Sequence, residues 1–407
     1  MNAQQQKFAA QGLQTTVLIV GFLILVQGTG ALAGFWLPAI APAVAAGVSL
    51  DPSLIAYAVL IQYVVAMLSS LIAGGMVNRF GAWRTSQLAL FGLAIAHLLF
   101  MTGTIWGIVL GSAALGGAYG MITPPASHLL SKIVTPANRN LVFSIRFTGV
   151  PIGGMAAGLT APATALVFGW QESMTVTVVI ALALALAMQP FRGSWDADRN
   201  TTSPILRNPL GDLALVWRIA SLRWVALSGL CMGAVQTTLT TYTVTMLVED
   251  LGYNLVAAGI GFSAVQVSSI VGRVGWGWLA DRVGSGLTIS SVITIIAAGC
   301  AILTISLTPD WPRLLVYMLC FIFGSVGMGW NGVYASEIAR LAPTNKVGAA
   351  TGASMFITFS GVFLGPMIFV AMFELTGVYT TTFAVSAVVA LMALFCLIQA
   401  SRCDHGV

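Results

Sequence analysis

The sequence predicts an all-α membrane protein whose twelve transmembrane helices form two pseudo-symmetric six-helix bundles. Apolar runs of roughly 20 residues recur along the whole chain, and each is long enough to cross a bilayer. Only 7% of the 407 residues are charged, whereas a soluble domain carries about 25% because water must wet its surface. A short loop motif also occurs twice, half a chain apart. These features exclude a globular cytoplasmic enzyme.

The predicted spans are bounded by charged residues, proline or glycine. The first six lie at about 15–46, 54–76, 86–103, 105–131, 139–166 and 173–190. The last six lie at about 222–248, 255–280, 286–307, 313–340, 346–373 and 379–400. A hydrophilic stretch separates the two sets, and a short amphipathic helix is expected within it near 210–219. We therefore predict an N-terminal bundle over 1–193, a cytoplasmic linker over 194–220 and a C-terminal bundle over 221–407.

The basic residues predict the orientation of the chain. With both termini inside, the cytoplasmic segments hold 14 of the 17 basic residues, among them Lys7 and Arg207. The outside loops hold one, Arg313, together with acidic residues such as Asp51. The positive-inside rule then places both termini in the cytoplasm, and we expect a multi-pass protein of a bacterial inner membrane. This orientation accounts for the net charge of +5 without nucleic-acid binding.

A loop rich in glycine and charge occurs twice. It reads GGMVNRFG at 74–81, after the second span, and GWLADRVG at 277–284, after the eighth. Asn78 and Asp281 stand 203 residues apart, half of the 407-residue chain. The chain is therefore predicted to be a parallel duplication, in which two halves are related by an axis along the membrane normal.

This repeated loop resembles the signature loop of the major facilitator superfamily, and the resemblance extends over all twelve spans. It implies a secondary transporter that works by alternating access, not an enzyme, with no cofactor. We interpret the loop residues as a latch that holds one state of the transport cycle, and a plain stop-transfer charge cluster is the alternative. The latch residues are Gly74, Asn78, Arg79, Gly81, Arg84, Gly277, Asp281, Arg282 and Gly284.

Two features depart from the usual pattern of that superfamily. Asn78 stands where an aspartate is usual in the first loop. Ser112 stands in span four, where members often have an arginine associated with proton coupling. The second departure puts that mode of proton handling in doubt.

Two arginines fall inside predicted spans, Arg146 in the fifth and Arg273 in the eighth. An ionised group at bilayer depth costs several kcal/mol unless it is paired or faces water, so it is a functional hypothesis by default. A guanidinium matches a carboxylate bidentately and never deprotonates. The resemblance adds that carriers of monocarboxylates, oxalate and nitrate place an anion-binding arginine on span eight. We predict that Arg273 binds the anionic group of the substrate and that Arg146 is a second clamp; pairing with a carboxylate or extension to the interface are the alternatives.

Other polar residues of the predicted helices complete the candidate site. The candidate substrate contacts are Gln266, Asn331, Tyr334, Gln236 and Tyr119, and Gln27 and Gln62 are possible contributors. Glu337 is a candidate coupling residue for H⁺, or else an ion-pair partner of Arg340 or of the loop.

We predict symport of a small carboxylate-like organic anion, and the alternative is an efflux pump for drugs or other amphiphilic compounds. The five cysteines lack metal-ligand spacing, so we expect no metal site. The expected partners are the anionic substrate and membrane lipid, with no nucleic acid, and the expected state is a monomer.

Overall fold

A computed structural model describes residues 13–48, 55–205 and 209–404. All regular secondary structure in these ranges is helical. The first half contains α1 (Leu13–Ala39), α2 (Ala41–Gly47), α3 (Ile55–Phe80), α4 (Ala82–Phe100), α5 (Ile105–Gly120), α6 (Thr123–Ile133), α7 (Arg139–Phe147), α8 (Gly149–Phe168), α9 (Trp170–Ser173), α10 (Thr175–Ala187) and α11 (Arg192–Trp195). The second half contains α12 (Pro209–Arg218), α13 (Ala220–Glu249), α14 (Leu255–Val283), α15 (Gly286–Ile305), α16 (Arg313–Gly327), α17 (Asn331–Leu341), α18 (Val347–Thr376), α19 (Tyr379–Thr382) and α20 (Ala384–Asp404).

The number of helices that are long and apolar enough to span a membrane is close to the prediction. Within the described ranges, ten helical segments are long and apolar enough to cross a membrane, and an eleventh is obtained if α12 and α13, bent by 108°, count as one span. Helix α4, the predicted third span, is not among them, and its first two turns carry the polar residues Arg84, Ser86 and Gln87. A multi-pass helical membrane protein is thus confirmed, while the count of twelve stays a prediction.

The orientation prediction used several residues that lie outside the described ranges. They are Lys7, Asp51 and Arg207, together with both chain ends. The helix expected near 210–219 is present as α12.

Side-chain caps and glycine explain where several helices begin and end. Thr104 accepts a hydrogen bond from the Gly107 N–H at 3.0 Å at the start of α5, and Asn254 accepts one from the Ala257 N–H at 2.8 Å at the start of α14. Such caps satisfy N–H groups that have no partner within the helix. Gly284 ends α14 with φ +76°, the left-handed conformation that glycine adopts at helix ends.

The chain folds into two compact units, each with a short segment from the other half of the sequence. The first unit holds the described residues of Met1–Val134, Arg146–Ala214 and Ala342–Phe356. The second holds those of Thr135–Ile145, Leu215–Leu341 and Ile357–Val407. The sequence predicts each bundle as one continuous stretch, and no local pattern marks these exchanged segments.

Glycine brings the helices of each unit into close contact. In the first unit, α1 packs on α8, where a side chain at Gly153 would overlap the backbone of Gly28. In the second unit, α14 packs on α16, where a side chain at Gly272 would overlap the backbone of Ser325. Small residues let membrane helices approach closely, since packing rather than hydrophobicity holds them together in lipid.

Candidate functional site

Arg146 lies near the end of α7, belongs to the first unit and is fully buried. Its Nη2 donates to Gln27 Oε1 at 2.5 Å, and it reaches Thr123 Oγ1 at 3.4 Å and the Ile122 carbonyl at 3.5 Å. Its Cζ lies 4.5 Å from the centre of the Phe147 ring. Its Nε and Nη1 have no hydrogen-bond partner among the described residues, and no acidic side chain in the described part of the chain forms an ion pair with it. The Arg146 guanidinium is therefore buried, and two of its three nitrogens have no hydrogen-bond acceptor among the described residues.

Arg273 lies on α14 in the second unit and is also buried, with 1% of its surface exposed. Its Nε donates to the Met328 carbonyl at 3.0 Å, and the same oxygen accepts from Asn331 Nδ2 at 3.1 Å. Gln236 Oε1 in turn accepts from Asn331 Nδ2 at 3.0 Å and from Trp330 Nε1 at 3.1 Å. The second unit thus brings together three of the predicted residues, Arg273, Asn331 and Gln236.

Each arginine points to a carbonyl at a break in a helix. Residues 121–122 separate α5 from α6, and residues 328–330 separate α16 from α17. Backbone groups at a helix break lack intrahelical partners, and broken membrane helices often form ligand sites. Ile122 in the first unit and Met328 in the second supply the carbonyls that face Arg146 and Arg273.

Both helix breaks lie within stretches that are predicted as single spans, because the sequence on either side of each break is apolar. The available signals were Pro124-Pro125 just after the first break and the glycines around the second. Proline is tolerated in the first turn of a helix and disrupts its interior, so this pair marks a helix start.

The remaining predicted contacts occupy different surroundings. Gln266 stands seven residues before Arg273 on α14, a spacing that places both on one face, and its Oε1 is buried with no hydrogen-bond partner among the described residues. Tyr334 shares a hydrogen bond with Thr358 Oγ1 at 2.9 Å and lies edge-on to Trp330, with ring centres 5.1 Å apart. Tyr119 belongs to the first unit and lies within electrostatic range of Arg146.

Asp281 of the second loop caps the start of α7, the part of that helix that belongs to the same unit. Its Oδ1 accepts from the Asn140 N–H and from Asn140 Nδ2, both at 2.9 Å, and its Oδ2 accepts from the Leu141 N–H at 2.8 Å. These donors are at the N-terminal end of α7, where a carboxylate is favoured by the helix dipole. A side chain at Gly277 would overlap the Ser144 side chain, and Arg282 lies over the Trp278 ring at 5.3 Å.

The first loop has other partners, and two of them come from the linker. Arg79 Nη1 donates to the Ser203 carbonyl at 3.0 Å. The Arg84 N–H donates to Asp196 Oδ2 at 3.1 Å. A side chain at Gly74 would lie 2.6 Å from the Ala349 Cα, and Gly81 has φ +95°, which only glycine adopts without strain.

Glu337 is buried in the second unit and lies against two arginines. Its Oε2 accepts from Arg340 Nε at 2.8 Å, and its Oε1 lies 3.8 Å from Arg139 Nη2. Arg340 also pairs with Asp404 at 2.7 Å. Of the two roles left open by the sequence, these contacts favour the ion-pair partner.

The comparisons with known proteins agree with this arrangement of helices and loops. The model of the Major Facilitator Superfamily matches residues 20–366. The chain therefore belongs to this superfamily, and it is a transporter rather than an enzyme.

Individual relatives are distant. An uncharacterized MFS-type transporter of Mycobacterium tuberculosis strain H37Rv is 26% identical over 326 residues, which cover 78% of this chain and 68% of the relative. The E. coli fucose:proton symporter FucP has a similar structure, with a TM-score of 0.76, 14% identity and coverage of 95% and 99% of the two chains. The human organic anion transporter MFSD10 has a TM-score of 0.78 at 14% identity, covering 95% of this chain and 100% of that one. At this identity the two solved structures establish the fold alone.

Proposed function

We propose that this protein is a secondary transporter of a small carboxylate-like organic anion. The observation that carries the proposal is the buried guanidinium of Arg146, whose Nε and Nη1 have no hydrogen-bond partner among the described residues. An unsatisfied buried donor costs about 1–3 kcal/mol, and more when the group is charged. A bound carboxylate would accept from these donors and neutralise the charge.

Arg273 is the anion-binding residue of the second unit in this proposal. Its Nε is engaged by the Met328 carbonyl, which fixes the plane of the guanidinium in the buried site. Two turns away on the same helix, the Oε1 of Gln266 has no hydrogen-bond partner among the described residues and can accept a hydrogen bond from a hydroxyl group on the substrate. A small anion that also carries a hydroxyl would satisfy both residues.

A carrier of amphiphilic cations is the alternative, and the charges of the described residues disfavour it. Such a carrier needs a buried acid that is free to meet the cation. Glu337 is buried, but it is hydrogen-bonded to Arg340 at 2.8 Å. We propose that Glu337 acts as a counter-ion of Arg340 and not as the residue that carries the coupling proton. Coupling to H⁺ is tested separately, by its effect on uptake.

A thermal-shift screen tests the proposal. Purified protein is heated with mono- and dicarboxylates, hydroxycarboxylates, nitrate and cyanate, and with amphiphilic cations as the opposing set. We expect stabilisation by at least one carboxylate and by none of the cations. Stabilisation by cations alone would overturn the electrostatic argument.

Variants of the two arginines then test the assignment. We expect Arg273→Ala to weaken binding of the carboxylate found in the screen by about 10- to 150-fold, which corresponds to about 1.5–3 kcal/mol for a charge-assisted hydrogen bond. Arg273→Lys should restore binding only in part, because a point charge cannot form the bidentate contact. The matched control is Arg313→Ala, which removes an exposed guanidinium and should leave binding unchanged.

Arg146→Met separates a binding role from a structural one. Removal of a buried charge that lacks a counter-ion should leave the melting temperature without ligand unchanged or higher. The stabilisation by carboxylate should nevertheless be lost. If this variant melts several degrees lower and still binds the carboxylate like wild type, Arg146 is a structural residue.

A further inference from the structure

The linker residues 196–205 are bound along the first loop within the first unit. Asp196 Oδ1 accepts from the Trp83 N–H at 2.8 Å and its Oδ2 from the Arg84 N–H at 3.1 Å. Further along, the Asn200 N–H donates to the Asn78 carbonyl at 2.8 Å. Together with the bond from Arg79 to Ser203, these contacts attach this segment, which we call the strap, at several points of the loop.

The glycines of the first loop make room for the strap. A side chain at Gly75 would overlap the carbonyl of Ile205. A side chain at Gly81 would overlap the Asp196 carboxylate. In the second loop, by contrast, no described residue lies within 4 Å of a Cβ added at Gly284. The first loop is therefore shaped to receive a segment, and the described part of the chain places no such segment at Gly284.

Asp196 in the first unit and Asp281 in the second both cap the N-terminus of a helix. Each carboxylate accepts from two consecutive backbone N–H groups at the start of a helix, α4 for Asp196 and α7 for Asp281. The first loop has Asn78 at the position that corresponds to Asp281, and Asn78 contacts the strap through its backbone. The linker thus supplies a capping carboxylate to the helix that follows the first loop, whereas Asp281 caps a helix that does not follow its own loop.

A second carboxylate strengthens the attachment of the strap. Asp198 Oδ2 lies 2.8 Å from His128 Nε2 and also bonds to Lys132 Nζ, both on α6. Burial by itself raises the pKa of Asp198, but the hydrogen bonds and charges of His128 and Lys132 outweigh it and hold that pKa below its ordinary value. For Asp196, burial raises the pKa, against the lowering effect of its two backbone donors.

The first loop also contacts the start of α18, in the segment that the first unit takes from the second half of the chain. Gly74 approaches Ala349, and Gly348 lies close to the Val77 side chain at 3.6 Å. The first loop therefore contacts both the strap and the exchanged segment.

We propose that the strap is part of the latch, and that Asp196 is a positioning residue that controls the contact between the first loop and the start of α18. A loop held by Asp196 keeps Gly74 and Val77 in place for α18. When Asp196 is removed, the loop loosens and the start of α18 is released, although Asp196 does not itself touch that helix.

Hydrogen–deuterium exchange of the full-length protein in lipid nanodiscs tests this. In Asp196→Ala, we expect amides 82–86 to exchange about fivefold faster, the effect of losing a typical N-cap. Amides 347–353 of α18 should also exchange faster. Asp196→Asn keeps one side-chain acceptor and should give intermediate rates in both segments. The control Asp310→Ala removes an exposed carboxylate from another loop and should change neither segment.

Two outcomes would overturn the proposal. Faster exchange at 82–86 with unchanged exchange at 347–353 would make Asp196 a local helix cap only. Unchanged exchange in both segments would show that the strap contributes nothing to the loop. If Asp196→Ala does not fold, Arg79→Gln removes the attachment to Ser203 instead and should also speed exchange at 347–353.

Discussion

Replacement of Asp281 by alanine should release the start of α7. The carboxylate of Asp281 accepts three hydrogen bonds, two from backbone N–H groups and one from the Asn140 side chain. Alanine leaves all three donors without this acceptor. Because the donors are at a helix N-terminus, the variant also loses the interaction of a negative charge with the helix dipole.

The free energy lost with this cap can be estimated from its three hydrogen bonds. Loss of an N-cap costs about 0.5–2 kcal/mol, and the upper end applies here because two backbone donors and a side chain share one carboxylate. About 2 kcal/mol corresponds to roughly a 30-fold change in the equilibrium between the capped and released states. Asp281→Asn keeps an acceptor and loses the charge, which is worth about 0.3–1 kcal/mol, or about two- to fivefold.

The assay has two parts. Hydrogen–deuterium exchange at 140–147 should rise about 30-fold in Asp281→Ala and about two- to fivefold in Asp281→Asn. In proteoliposomes, uptake of the carboxylate found by the thermal-shift screen should fall in Asp281→Ala, while its Kd stays within about tenfold, since a latch biases states without touching the substrate. Wild-type uptake and exchange in Asp281→Ala would refute the interpretation of the second loop as a latch.

Two further predictions concern the first unit. Gly81→Ala should melt at a much lower temperature than Gly284→Ala. Both glycines have positive φ, but a Cβ at Gly81 would also overlap the Asp196 side chain. Equal melting temperatures of the two variants would argue against the tight contact with the strap. The low pKa of Asp198 means that its contribution to stability is present above its ordinary pKa of 3.8 and is lost only as the pH falls below that value. The difference in melting temperature between wild type and Asp198→Asn should therefore not shrink between about pH 7 and about pH 5, and a difference that disappears by about pH 5 would contradict the ion pair with Lys132.

The sequence alone was sufficient for the class of protein. Span length and apolar character are local properties, so a helical membrane protein could be recognised from them without any contact being known. The two copies of the loop, at Asn78 and Asp281, indicated the duplication and the superfamily. The cost of burying a charge was enough to single out Arg146 and Arg273.

Only the tertiary structure decided what these residues contact. The breaks that expose the carbonyls of Ile122 and Met328 lie within apolar stretches that sequence analysis reads as continuous. Asp196 meets Trp83 across 113 positions of the chain, and Asp281 meets Asn140 across 141. No local pattern encodes such pairs, because they depend on how closely the helices pack, and that packing is set by glycines whose neighbours are distant in sequence.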